Sequence, residues 1–203
     1  MGVCVQDKYT FVRGVRVHYV EEGEGTPVVM MPGASFSAAT WVQVGLVGAV
    51  ASSGFRAISV DPPGQGETPQ GPYQFGGRRE FLEDFLPLVG FERGVLLGAS
   101  LGGYSVATYA ISHPEKVIGL ILVGAVGLER HAAQFKVLSG KPILLIWGAE
   151  DDVSPISNAE AVMSRVNTAE LVRIGRRHAC YLDDPSGFTN LVVSFLKERP
   201  AGP

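Results

Sequence analysis

Ser100 stands in Gly98-Ala99-Ser100-Leu101-Gly102-Gly103, a G-x-S-x-G pattern that follows the apolar run 94–97 and precedes a helix-compatible run. A serine in that setting is held on a sharp strand-to-helix turn with its hydroxyl exposed, and small neighbours are needed so that strand and helix can approach. Gly98, Gly102 and Gly103 meet that need. The competing reading is a glycine-rich turn whose serine merely caps the helix, and the motif alone does not decide between them. A serine hydroxyl is a weak nucleophile at neutral pH, so acyl-transfer chemistry also requires a base, an acid to orient it and donors for an oxyanion.

Candidates for the base and the acid occur in a workable order. Asp151 lies in Trp147-Gly148-Ala149-Glu150-Asp151-Asp152, after the apolar run 143–147, and His178 follows the run 171–174, giving the chain order serine, acid, histidine. The other histidines fit structural or solvated roles: His18 falls in a hairpin, His113 precedes Pro114 at a helix end, and His131 sits in a polar connecting helix.

The elements that must position these groups follow from periodicity. Residues 9–12, a turn at Arg13-Gly14 and the alternating Val15, Val17 and Tyr19 predict an N-terminal hairpin that ends in the Gly23 to Gly25 turn. Short apolar runs at 28–31, 57–60, 94–97, 117–123, 143–147 and 171–174 read as strands buried on both faces, the signature of a parallel sheet covered by helices. Helical segments at 77–89, 101–112, 156–166 and 185–197 alternate with them, which predicts an α/β fold. Ser100, Asp151 and His178 then fall beyond the carboxyl ends of three different strands, where open α/β sheets bind ligands.

Composition narrows the function classes. With 203 residues, 46% hydrophobic content and 18% charged content, one domain spanning 1–203 is expected. The net charge of -3 and the lack of any basic run beyond Arg78-Arg79 and Arg176-Arg177 argue against nucleic acid and for a small-molecule partner. No apolar stretch approaches a membrane span and the first residues lack a signal-peptide pattern, so a soluble, cytoplasmic protein with no membrane partner is expected. Gln6 stands where a myristoylation motif wants Ser or Thr. Cys4 and Cys180 read as free thiols, and with neither H-E-x-x-H nor a dinucleotide fingerprint, no metal or cofactor is expected.

On five segments the chain resembles the α/β-hydrolases: VVMMPG at 28–33, DPPGQGET at 61–68, GASLGG at 98–103, LLIWGAEDDVSP at 144–155 and RHACYLDDP at 177–185. The resemblance implies an α/β-hydrolase fold, a mostly parallel sheet with an N-terminal hairpin and helices on both faces. It further implies Ser100, Asp151 and His178 as the catalytic triad. The family pattern GxxD selects Asp151, three residues after Gly148, over Asp152, with Glu150 a weaker rival. The implied oxyanion donors are the backbone N–H groups of Ala34 and Leu101.

GASFSAATW at 33–41, SGFRAISVDPPGQG at 53–66 and HACYLDDP at 178–185 are similar to the small lidless CIB-type hydrolases. Only 127–141 joins the sixth and seventh family strands where lidded relatives carry a cap, so an open cleft is implied. Two positions depart from the pattern: Pro32-Gly33 replaces His-Gly, and Arg177 replaces the glycine before the histidine. Asp61 opens a D-x-x-G-x-G turn and is expected to stabilise the loop to Gly66. Dehalogenases and epoxide hydrolases of this fold place an aspartate at the nucleophile position, so Ser100 speaks against both. The expected function is carboxylester hydrolysis of small substrates, with thioesterase, acyltransferase and a non-catalytic interaction module as rivals, and oligomeric state left open.

Overall fold

The structure, a computed structural model, describes residues 5–73 and 78–198. Cys4, Gly2, Gly77 and the 200–203 tail, on which some sequence expectations fall, lie outside these. In chain order the strands are β1 Gln6–Val12, β2 Val15–Glu22, β3 Thr26–Met31, β4 Phe55–Val60, β5 Gly94–Ala99, β6 Val117–Val123, β7 Ile143–Trp147 and β8 Ala169–Arg173. The helices are α1 Ala38–Gln43, α2 Leu46–Ser52, α3 Arg78–Leu88, α4 Leu101–Ser112, α5 Ser157–Met163, α6 Cys180–Asp183 and α7 Pro185–Glu198. A run of tight 3-10 turns, Leu128–Leu138, links β6 to β7 in place of a cap domain.

All eight strands form one sheet in the order β1-β2-β4-β3-β5-β6-β7-β8. The first two pairings are antiparallel and the remaining five are parallel. The hairpin forms because Arg13 and Gly14 both take positive φ, 47° and 81°, the geometry of a two-residue turn that matches strand twist. From β3 the chain moves one way to β4 and then returns to pair β5 on the other side of β3. That reversal opens a crevice beyond the carboxyl ends of β3 and β5, the switch point at which such sheets bind ligands.

Alternation along the strands divides the core. Val29, Met31 and Leu96 face one apolar layer with Phe81, Phe85, Val106 and Tyr109 from α3 and α4. Val28, Met30, Val95 and Leu97 face the other, with Trp41, Val47, Phe188 and Val192 from α1, α2 and α7. Both faces of β3 to β7 are therefore largely covered, which is why those runs read as continuously apolar; β8, expected from 171–174 to be buried on both faces, lies at the sheet edge and has no buried residue, because it has a neighbouring strand on one side only. The expected elements recur with shifted ends: α5 is shorter than the 156–166 run, and β8 stops one residue before Ile174. Sequence periodicity did not anticipate α1 and α2.

Candidate active site

The turn between β5 and α4 is strained. Ser100 takes φ 51° and ψ −118°, backbone angles that cost a non-glycine residue on the order of 1–3 kcal/mol. Although it occupies the first capping position of α4, its side chain makes no capping hydrogen bond, which removes the reading of Ser100 as a simple helix cap. The backbone around it enforces the turn, through Ser100 N–H to the Val123 carbonyl at 2.8 Å and Tyr104 N–H to the Ser100 carbonyl at 3.1 Å. The glycines are obligatory on steric grounds. A Cβ on Gly98 would strike the Gly102 carbonyl, one on Gly102 the carbonyls of Met31 and Pro32, and one on Gly103 the Ala125 side chain.

Beyond β7 and β8 the chain brings Asp151 and His178 together. His178 Nδ1 lies 2.9 Å from both carboxylate oxygens of Asp151, whose side chain is 1% exposed against 20% for the imidazole. The carboxylate is fixed from behind, because its Oδ1 also accepts the N–H groups of Val153 at 3.0 Å and Ser154 at 2.8 Å. Ser154 in turn donates its hydroxyl to the Ala125 carbonyl, tying the acid loop to the end of β6. Gly124, at φ 49°, lets this pair close: a Cβ there would stand 3.0 Å from Asp151 Oδ2 and 3.1 Å from His178 Nδ1. The rivals are elsewhere engaged or exposed, with Glu150 paired to Arg176 at 2.7 Å and Asp152 on the surface.

Ser100 and His178 line one cavity of about 230 Å³ together with Gly33, Ala34, Ser35, Phe36, Ala99, Val123, Val153 and Tyr181. His178 Nε2, the ring nitrogen left free by Asp151, is buried and has no hydrogen-bond partner among the described residues, so no direct bond to Ser100 is made. Serine–imidazole bonds of this kind commonly tighten only in the substrate complex. The loop after β3 abuts the nucleophile, since a Cβ on Gly33 would lie 3.4 Å from Ser100 Cβ. The N–H groups of Ala34 and Leu101 find no backbone acceptor among the loop and cap bonds of the described residues. A larger cavity of about 620 Å³ opens between α3, α4 and the Leu128–Leu138 turns, but Ser100 does not line it and its one histidine, His131, is bonded to Tyr104 and Gln134.

Asp61 braces the site from the end of β4. Its Oδ1 accepts the Ala38 N–H at 2.6 Å and its Oδ2 the Glu67 N–H at 2.9 Å, while a Cβ on Gly66 would collide with the carboxylate. His18, buried on β2, points Nδ1 at Asp61 Oδ2 at 2.8 Å and Nε2 at Asp7 Oδ1 at 3.0 Å. Burial by itself lowers the His18 pKa, but the two carboxylate hydrogen bonds outweigh it and the net shift is upward. The folded chain thus holds this proton more tightly than the unfolded chain, whose histidines titrate near about 6.5. The associated stability is complete below that pH and is lost as pH rises through the raised value. Urea midpoints of the wild type are expected to fall across that window, and His18→Gln should flatten the slope; an unchanged slope in the variant would rule out His18 as its source.

Arg177 does not add free charge to the cleft. It pairs with Asp183, whose Oδ2 also accepts the N–H groups of Arg176 at 2.8 Å and Arg177 at 2.9 Å. These contacts, the Arg177 side chain first, hold the Asp183 carboxyl well below the usual carboxylate range. Asp183 therefore clamps the loop that carries His178, a role the sequence did not disclose. Burial pushes the neighbouring Cys180 thiol up to about 12, so it stays protonated and unreactive at neutral pH. A second residue missed in the sequence is Gln65, buried in the turn after Asp61 and bonded to the Gly33–Phe36 loop.

A mostly parallel eight-stranded sheet with a strained serine at its switch point and an aspartate-paired histidine at the same edge defines an α/β hydrolase. Residues 26–137 match the family described as alpha/beta hydrolase fold, and the chain belongs to that family. A crystal structure of a predicted CIB-like hydrolase from Thermoplasma acidophilum superposes with a TM-score of 0.90 at 26% identity, covering 97% of this chain and 99% of that one. Protein ABHD14A of Danio rerio is 28% identical over 84% of this chain, which spans only 64% of that relative's length. Rat ABHD14B, whose name carries a provisional protein-lysine deacylase assignment, is 25% identical over 92% of this chain and 93% of its own length. Among the described residues no helix is long and apolar enough to cross a membrane.

Proposed function

We propose that this chain is a serine hydrolase that cleaves carboxylic esters of small, uncharged acyl groups through an acyl-serine intermediate. The observation that carries the reading is the shared cavity, with Ser100 on a strained turn on one wall and the Asp151-paired His178 on another. His178 takes the Ser100 proton as the hydroxyl attacks the acyl carbon, and Asp151 keeps Nδ1 protonated so that Nε2 faces the nucleophile. The N–H groups of Ala34 and Leu101 receive the oxyanion, the latter at the positive end of the α4 dipole. His178 then protonates the leaving alkoxide, activates water against the acyl-serine and returns the proton to Ser100.

Cavity size supports a short acyl group. At about 30 Å³ per water-sized group, the cavity admits on the order of eight non-hydrogen atoms. Its lining carries no Asp, Glu, Lys or Arg side chain, which favours neutral substrates. With p-nitrophenyl esters of graded length, kcat/KM is expected to peak at acyl chains of about two to four carbons and to fall at least tenfold by octanoate, since a longer chain cannot be enclosed. A preference for the long chain would overturn the assignment of this cavity to the acyl group.

The match along nearly all of rat ABHD14B favours one second reading, in which the acyl group leaves an N-acyl-lysine amide. The acyl-serine is the same, and His178 would protonate a departing amine. Turnover of an acetyl-lysine peptide, run beside the ester series, separates the two.

A further inference from the structure

We propose that Gln65 is a positioning residue that sets the orientation of the oxyanion donor; the inference rests on the reading of Ser100 as the nucleophile. Gln65 is 9% exposed and sends its side-chain Nε2 to the carbonyls of Gly33 at 2.6 Å, Ala34 at 2.8 Å and Phe36 at 2.5 Å. Three acceptors around one NH₂ group determine which end of the amide is nitrogen, because the opposite assignment would face Oε1 with three carbonyl oxygens.

The consequence follows from peptide geometry. In a planar trans peptide the C=O and N–H point in opposite directions, so a Gly33 carbonyl turned toward Gln65 forces the Ala34 N–H away from it. Ala34 and Gly33 both line the Ser100 cavity, and that N–H is assigned to it. The Gly33 carbonyl receives one further bond, from Phe36 N–H at 3.2 Å, whereas no other loop or cap bond of the described residues reaches the Ala34 and Phe36 carbonyls. Losing Gln65 would leave carbonyls unsatisfied beside the cleft, and the loop relieves that cost by rotating peptides, which removes the Ala34 donor.

The sequence delivers Gln65 to this position through the turn around it. Gly64 and Gly66 take φ 83° and 53°, Gln65 N–H bonds to the Pro62 carbonyl at 2.9 Å, and Asp61 ties the same turn to Ala38. Asp61 and Gln65 therefore hold the two ends of the 33–38 segment, the carboxylate accepting from N–H and the amide donating to C=O. Gln65 touches no reacting atom, and its effect passes entirely through the loop.

Gln65→Leu and Gln65→Glu test the proposal. For the leucine variant, kcat for a short p-nitrophenyl ester is expected to fall about 10–10²-fold with KM within about twofold, less than the full loss of one donor because the Phe36 bond remains. The near-isosteric Glu variant places a carboxylate against three carbonyl oxygens when ionised, but donates one hydrogen bond when protonated. Its activity relative to wild type should therefore rise as pH drops from about 9 to 5. Loss of fold would follow the same titration, so the ratio is read over the pH range in which circular dichroism shows Gln65→Glu folded; there a flat ratio, or a folded Gln65→Leu with unchanged kcat, would overturn the inference. Should wild type and Ser100→Ala be equally inactive, the functional reading fails instead. The crystal structure of Gln65→Leu then decides the positioning role, with a turned Gly33–Ala34 peptide expected and an unmoved one counting against it.

Discussion

Ser100→Ala is expected to lower kcat for a short-chain ester by about 10⁵–10⁶, the scale seen when a triad serine is removed, while the chain remains folded. Structural side effects should be small, because the hydroxyl makes no capping bond and alanine meets the same backbone strain at φ 51° as serine does. The turn is enforced by Gly98, Gly102 and Gly103, which the substitution leaves untouched. Residual turnover above the uncatalysed rate is expected from the oxyanion donors and from binding alone. Steady-state kinetics together with thermal melts check both halves, and a variant that keeps more than a few per cent of activity would require another nucleophile. A fluorophosphonate probe gives an independent reading, since it labels only an activated serine and should mark wild type but not the variant.

Asp151→Asn is expected to cost about 10⁴ in kcat with the geometry of the site preserved. An asparagine can still accept the Val153 and Ser154 N–H groups through its amide oxygen, leaving its NH₂ to face His178 Nδ1. That reverses the tautomer: Nδ1 must now accept, the proton moves to Nε2, and the nitrogen facing the cavity can no longer take a proton from Ser100. Asp152→Asn and Glu150→Gln serve as controls. Asp152 is exposed, and the Glu150 side chain pairs with the surface residue Arg176, so each should stay within about threefold of wild type. Comparable losses in Asp151→Asn and Asp152→Asn would remove the special place given to Asp151.

The two kinds of site residue differ in how far they can be read from sequence. Ser100 and Asp151 each follow a buried apolar strand and His178 a partly buried edge strand, and their order fixes which strand ends must meet. Gln65 and Asp183 carry no such signal. A glutamine between two glycines reads as a polar turn, and an aspartate after Cys180-Tyr181-Leu182 reads as surface; what each does depends on chain segments about 30 and 6 residues away. The helices α1 and α2 were illegible for a related reason. At 6 and 7 residues, separated by Gly45 at φ 79°, they are too short to show a period, and burial of Trp41, Leu46, Val47 and Val50 against the sheet stabilises them.

Local pattern alone determined the alternation of strands and helices, the tight serine turn and the three strand ends beyond which the candidate groups lie. These depend on interactions between residues close in sequence: side-chain periodicity, glycine's tolerance of crowded backbone and the need for an apolar strand to be covered. The tertiary structure decided which carboxylate of the Glu150-Asp151-Asp152 run meets the imidazole, which way the peptides of the Gly33–Phe36 loop face, and that Arg177 is neutralised by Asp183. The first two turn on hydrogen-bond direction and distance between segments that only the folded sheet brings together, the third on how the chain curls over six residues, and such directional bonds leave no periodic trace along the chain.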